Sequence, residues 1–366
     1  LVQYNNNQNQ KWADRPKLSD YTYTRENLGV TYEIAIALAN KMQIDPRVNI
    51  PHQADYDYIL EMAKLLKTDL DPKLKVRIEY ANEVWNRQFE QASYANEMGR
   101  KLWAENGDPE KAPGDSWLQL NGLRTSQMCN IWKKKVFREE VDRAVCVIST
   151  QIGWNPPSFV VESMLDCPFT QAQNITSCYK NGIDEIGVTG YFGGGLNEYE
   201  NWPTIKQWIQ SDKDGGVQKA VEQIKNGKYF KSGDTLDANK AAFQEITELA
   251  KQRGMKMVAY ESIDHLNAAV GPDIEAGETQ SAYEEREKML TKLFEKIANS
   301  PQISDIYQQN LNNWKSAGGT LIMHFSYFGK GSKYGQWGIL DSVWSQVTAP
   351  KYLALKKFQD ENACWW

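Results

Sequence analysis

A chain of 366 residues, 41% hydrophobic and 24% charged, has the size and composition of a soluble protein built as one barrel-sized domain or two smaller ones. Its net charge of −5 argues against nucleic acid or anionic membrane as the main partner, and no apolar run approaches the roughly 20 residues that span a bilayer. Thirteen Trp and 18 Tyr are many for this length. Most are expected in a core, and some are suited to line a cleft where flat rings stack on sugar faces.

Leu1-Val2-Gln3-Tyr4 reads as the end of a strand, opening abruptly into the polar run Asn5–Gln10. This start is expected of a mature or partial product of a longer precursor that carries further domains. Thr31–Met42 has apolar residues at helical spacing, and Val48-Asn49-Ile50 is a short strand running to Pro51-His52. Asp55–Lys67 is an amphipathic helix. The run V-R-I-E-Y-A-N-E, Val76 to Glu83, reads as a strand with a carboxylate tip, followed by helices near 89–106 and 115–137. Ala144–Gln151 is an almost continuous apolar strand, as expected when both faces are buried.

An irregular excursion is expected over 152–182, containing Asn155-Pro156-Pro157. Ile183–Tyr191 is the next strand and leads into Gly193-Gly194-Gly195. Helices follow near 202–226 and 237–253, then a strand over Met255–Glu261 and a long loop. The remaining elements are helices near 282–299 and 303–317, a strand over Thr320–Phe325 and a helix near 350–359. Helix and strand alternate throughout, so the expected fold is α/β, a (β/α)₈ TIM barrel with its long loops on one face. Seven strands are counted from Leu1–Tyr4. Either one is hidden or the first β/α unit lies upstream of Leu1, and the abrupt start favours the second. No linker divides the chain, so residues 1–366 are expected to form a single domain elaborated at 152–182 and 192–235.

Cys167 and Cys178 bracket a short polar segment holding the sequon Asn174-Ile175-Thr176. A disulfide there, beside a glycan on Asn174, suits an extracellular, secreted glycoprotein. Cys146 lies in an apolar strand and is expected as a buried free thiol. No cluster has metal-ligand spacing, and no cofactor is called for.

Glu83 and Glu261 each end a strand, which in a parallel barrel is where chemistry is kept. Two carboxyl groups are what glycoside hydrolysis requires, one to protonate the leaving oxygen and one to attack or to activate water. All three histidines, His52, His265 and His324, fall near strand ends, which suits polar duty around a sugar. Trp85, Trp154, Tyr327 and Trp337 are candidate stacking platforms. Strand alternation puts Glu79 on the face of Arg77 and Glu83, where it needs an ion partner, with Arg77 or Arg143 expected.

Asn82-Glu83 closing one strand and Tyr260-Glu261 closing another, with N-I-P-H (Asn49–His52) and G-Q-W-G (Gly335–Gly338), resemble the retaining (β/α)₈ glycosidases of the clan containing cellulases, mannanases and β-galactosidases. Y-A-N-E-V-W-N also resembles a cellulase-like, mostly uncharacterised subgroup. The resemblance runs from Trp12 to about Leu340. It implies that Glu83 is the general acid/base on the fourth strand and Glu261 the nucleophile on the seventh. Asn82 would bind the sugar 2-hydroxyl, His52 stands where clan members often carry a histidine around the sugar, and Tyr191 would orient the nucleophile. Trp337 is loosely similar to the clan's sugar platform. The mechanism implied is double displacement, with carboxyl groups about 5–5.5 Å apart and the Glu83 pKa raised by its neighbour and by burial. The clan arginine expected beside the acid/base is absent from Leu1–Tyr4, so it is supplied upstream or Arg15 or Arg47 substitutes. A polysaccharide or oligosaccharide is then the partner, cut by an endo-acting enzyme. The alternative is a non-catalytic structural or carbohydrate-binding glycoprotein that retains the barrel.

Overall fold

The computed structural model describes residues 5–20, 22–23, 29–154, 156–172, 176–269 and 277–365. Among them, six strands form one parallel sheet whose spatial order is the chain order, β1 to β6. Helices join the successive strands, so the fold is α/β and the succession is that of a TIM barrel without its first unit. The six take the places of the third to eighth strands expected from the sequence. The expected strand at Leu1–Tyr4 and the sequon at Asn174 lie outside the described residues. The chain divides into two compact units: Leu1–Gly187 with Leu249–Lys256, and Val188–Glu248 with Met257–Trp366.

In the first unit, α1 (Tyr32–Met42) precedes β1 (Arg47–Ile50), and α2 (Tyr56–Asp69) leads to β2 (Val76–Tyr80). Both helices start at side-chain caps. Thr31 Oγ1 accepts from the amide of Ile34 at 3.2 Å and Asp55 Oδ1 from that of Tyr58 at 2.8 Å. Next come α3 (Glu90–Leu102) and α4 (Ser116–Asn130), the latter running on as a π-helical stretch to Phe137, and then β3 (Ala144–Ser149). Between β3 and β4 (Glu185–Thr189) the expected irregular excursion contains α5 (Pro157–Asp166) and α6 (Pro168–Ala172). Pro157 sits in the first turn of α5, where a missing amide N–H costs no hydrogen bond. Cys167 and Cys178 form the expected disulfide, and Cys129 and Cys146 are buried free thiols.

The register of β1, β2, β3 and β4 aligns Asn49, Glu79, Val147 and Glu185. Aligned residues of a parallel sheet share a face, and this one is polar. Glu79 is held by Arg47 and accepts from Asn49 Nδ2 at 2.8 Å. Arg77 forms a two-point contact with Glu185 at 2.9 and 3.2 Å and reaches Asp45 at 3.4 Å. The expected ion pair of Glu79 exists, but its partner is Arg47 rather than Arg77 or Arg143. Residues two apart on one strand project side by side, whereas a neighbouring strand offers its side chains across the gap. Arg143 is engaged instead by Glu140 and by the carbonyls of Leu70 and Leu74. The opposite face, with Val48, Ile78, Cys146, Ile148 and Ile186 buried, packs under the helices.

In the second unit the expected helix over 202–226 is two, α7 (Trp202–Ser211) and α8 (Val217–Asn226). Gly215 and Gly216, with φ of 71° and 88°, turn the chain between them. Then follow α9 (Leu236–Lys251), β5 (Lys256–Ser262), α10 (Gln280–Ala298), α11 (Pro301–Ser316), β6 (Ile322–His324) and α12 (Pro350–Glu361). A hydrophobic core gathers Phe192, Trp208, Ile224, Phe294, Ile306 and Tyr307. A buried ion pair ties the end of β5 to α12. Lys351 Nζ lies 2.6 Å from Asp264 Oδ2, which also accepts from Tyr307 Oη at 2.7 Å, and Lys351 donates to the Gln336 carbonyl. Among the described residues no helix is long and apolar enough to cross a membrane.

Candidate functional site

In the first unit, β2 ends at Tyr80, three residues before Glu83, so the alternation through Arg77 and Glu79 does not aim Glu83. The turn beyond the strand does. Ala81 and Glu83 adopt φ of 49° and 45°, a left-handed conformation that costs a side-chain-bearing residue about 1–2 kcal/mol. Glu83 is buried, 7% exposed. Its carboxylate accepts from Asn86 Nδ2 at 3.1 Å, and its carbonyl accepts the Asn86 amide at 2.9 Å. Trp85, in the same turn, is buried.

Asn82 is held by residues that sequence reasoning passed over. Its Nδ2 donates to Asn5 Oδ1 at 2.9 Å, while the fully buried Gln91 donates to both Asn5 Oδ1 and the Asn82 carbonyl at 2.7 Å. Gln91 Oε1 also accepts the Asn6 amide at 3.1 Å, and Asn6 Oδ1 accepts that of Glu90 at 2.9 Å. The Asn-rich run, which read only as an abrupt opening, is thus a docked segment. Its signal was the density of amide side chains able to pair with one another and with backbone.

His52 lies two residues beyond β1 and is buried, its ring edge-on to Tyr94 at 5.1 Å. Burial lowers its pKa to about 4, partly opposed by Glu90, so it is neutral at physiological pH. Its Nδ1 has no hydrogen-bond partner among the described residues. Trp154 packs against Trp117 at 6.0 Å. Of the two arginines considered as substitutes, Arg15 lies over Trp12 at 3.9 Å and pairs with Glu33 at 2.7 Å, and Arg47 pairs with Glu79.

In the second unit, Glu261 lies within β5 at an irregularity. Ala259 pairs with Ile322 and Ser262 with His324, so three steps on β5 oppose two on β6. That extra residue is a β-bulge, which reverses the alternation beyond it. Before it, Met257 meets Thr247 of α9, on the helix side. After it, Ser262 approaches Asn310 of α11 at 3.5 Å, again on the helix side. Glu261, next to Ser262, therefore belongs to the opposite face.

Tyr191, two residues past β4, stacks on His265 with ring centroids 4.3 Å apart, and its carbonyl accepts from Asn239 at 2.6 Å. Burial lowers the His265 pKa, opposed by Asp234 and Asp264. Asp234, not anticipated from sequence, accepts from the Gly195 amide at 3.1 Å and from Ser232 Oγ at 2.5 Å, fixing the glycine run beside His265. His324 faces the other way. Its ring packs at 5.9 Å from Tyr307 of α11, and burial lowers its pKa to about 4. Trp337 is exposed, its ring 6.0 Å from that of Phe325. Glu83, Asn82 and Trp85 thus share one turn, and Tyr191 and His265 share one stack, while His324 is turned toward a helix. Among the described residues no three His, Cys, Asp or Glu side chains gather as metal ligands would.

No family model and no curated protein matches the chain. Solved structures do. A fungal β-1,4-galactanase structure is 11% identical over 84% of this chain and 86% of its own, with a TM-score of 0.32. The endo-β-1,4-mannanase of Thermotoga petrophila is 12% identical over 90% of this chain and 74% of its own, at 0.36. The β-glucuronidase of Bifidobacterium dentium is 12% identical over 94% of this chain, at 0.33, and the chain spans about half its length (46%). These are likenesses of coarse outline.

Proposed function

We propose that the chain is a secreted, retaining β-glycoside hydrolase that acts on a polysaccharide by double displacement, with Glu83 as general acid/base and Glu261 as nucleophile. The observation that carries this reading is local. Each glutamate stands at or just past the C-terminal end of a parallel strand, on backbone bent away from regular geometry. Strained or bulged backbone at such positions is characteristic of sites where a side chain must be aimed. In this mechanism Glu83 protonates the departing oxygen while Glu261 attacks the anomeric carbon, and Glu83 then deprotonates the water that releases the sugar. Asn82 and His52 are assigned to sugar hydroxyls, and the Tyr191–His265 stack to orienting Glu261. The disulfide suits an oxidising compartment and supports secretion.

The test is product release from a polysaccharide panel by the parent, Glu83→Gln and Glu261→Gln. Each substitution is expected to lower turnover by at least about 10³-fold, the scale on which positioned acid–base and nucleophilic groups act. The anomeric configuration of the first product, followed by NMR, is expected to match that of the substrate. Equal product release from all three proteins removes the assignment and leaves a non-catalytic glycan binder.

A further inference from the structure

One residue grips the end of β5. Gly190, the first past β4, donates its amide to the Glu261 carbonyl at 2.7 Å, and its own carbonyl accepts the Ser262 hydroxyl at 3.1 Å. Two consecutive residues of β5 are thus tied to a single point. From the neighbouring strand the Phe325 amide donates to the Ser262 carbonyl at 3.2 Å. Ser262 is fully buried. Gly190 owes its place to contact. A Cβ there would lie 2.8 Å from Ser262 Oγ and 3.0 Å from Ser262 Cβ, so any side chain would push Ser262 away.

The Ser262 hydroxyl also has a donor behind it. Asn310 of α11 is 1% exposed, and its Nδ2 reaches Ser262 Oγ at 3.5 Å, while its Oδ1 has no partner among the described residues. An unsatisfied buried amide oxygen costs about 1–3 kcal/mol, which an apolar side chain on α11 would avoid. A buried amide placed at that cost serves the bond it makes. By donating to Ser262 Oγ, it leaves the single hydroxyl proton for the Gly190 carbonyl, so the relay has one direction. All these contacts fall at the β5 bulge, where three steps on β5 oppose two on β6. A bulge disrupts the ladder locally and re-aims a side chain, so the point at which it is pinned sets where that side chain goes.

We propose that Ser262, with Gly190 and Asn310 as its partners, is a positioning residue for Glu261. Its hydroxyl pins the bulge on the helix side of the sheet, and the pinned backbone presents the neighbouring carboxylate at one height on the opposite face. The inference rests on the hydrolase reading for the duty of Glu261 and adds the device that aims it. An attacking carboxylate must stand about 3–3.5 Å from the anomeric carbon, and a misplacement of about 1 Å costs on the order of 10²-fold in rate. Ser262 lies on the face away from Glu261 and does not reach the sugar. Its loss is therefore a loss in kcat and not in KM.

The experiment measures kcat and KM for the parent, Ser262→Ala, Glu261→Gln and Ser262→Ala/Glu261→Gln on the polysaccharide that the parent cleaves best. Crystal structures of the parent and Ser262→Ala accompany it. Ser262→Ala removes one oxygen and is expected to lower kcat by about tenfold or more, with KM unchanged within about twofold. Its melting temperature is expected to stay within a few degrees of the parent's. With no carboxylate left to aim, the same substitution is expected to change the residual rate of Glu261→Gln by less than about twofold. An active parent whose kcat is untouched by Ser262→Ala overturns the proposal and leaves the hydrolase standing. An equal loss in the Glu261→Gln background also overturns it, since Ser262 would then be merely structural. A Glu261 carboxylate that has not moved in the variant crystal overturns it whatever the kinetics. A parent that cleaves nothing removes the hydrolase reading, and displacement of that carboxylate by about 1 Å or more in Ser262→Ala would still uphold the clamp.

Discussion

His52 and His324 make stability depend on pH in a defined direction. Each has a folded pKa near 4 against 6.5 when unperturbed, because burial disfavours the imidazolium. Above pH 6.5 both are neutral in the folded and unfolded chain, and neither costs anything. As pH falls from 6.5 toward 4 the unfolded chain takes up protons that the folded chain refuses, so folding stability falls. The slope is at most about 1.4 kcal/mol per pH unit for each histidine. Urea unfolding at pH 7.0, 5.5 and 4.5 is expected to show this decline, and His52→Asn or His324→Asn is expected to flatten it over that window. An equally steep decline in both variants would locate the dependence in other groups. Sequence position put both histidines near strand ends. It could not say that His324 turns toward Tyr307, because a side chain's face depends on the local pleat.

At the scale of elements, helix periodicity and apolar runs located every described strand and the longer helices, since burial of one face leaves a periodic trace in sequence. What escaped were departures from period. The bulge in β5 adds one residue to one strand and leaves no compositional mark, yet it decides which face Glu261 occupies. The turn after β2 places Glu83 by left-handed backbone at residues that are not glycine, so no glycine signalled it. The Cys167–Cys178 bridge was legible because two cysteines bracketed a short polar loop. It closes 11 residues of separation beside α5, where Gly122 of α4 passes so near that a Cβ there would lie 1.9 Å from the Met164 carbonyl oxygen. Cys167→Ala/Cys178→Ala is expected to lower unfolding free energy by about 3 kcal/mol, from the lost restraint on the unfolded chain. Chemical denaturation with and without reductant measures this, and an unaltered midpoint would show that helix packing alone secures the segment.

At the scale of the molecule, each unit is held by a buried ionic arrangement rather than by apolar packing alone. In the first unit Arg47–Glu79 and Arg77–Glu185 occupy the polar face of the sheet, and in the second Lys351–Asp264 joins a strand to the last helix. Lys351→Met is expected to destabilise the second unit by about 3–5 kcal/mol, because it strands a carboxylate that is fully buried. Adding Asp264→Asn is expected to restore part of the loss, and thermal melts of the single and double variants give the coupling between them. Strict additivity of the two would mean that the pair does not act as a unit. The Lys351–Asp264 contact spans 87 positions of chain. Synthesis runs from the N-terminus, so when β5 leaves the ribosome Asp264 still lacks its cation, and completion of the second unit must wait for α12. Folding of the two units during translation is therefore expected to be staggered, with the loop that carries Gln336 the last part to set.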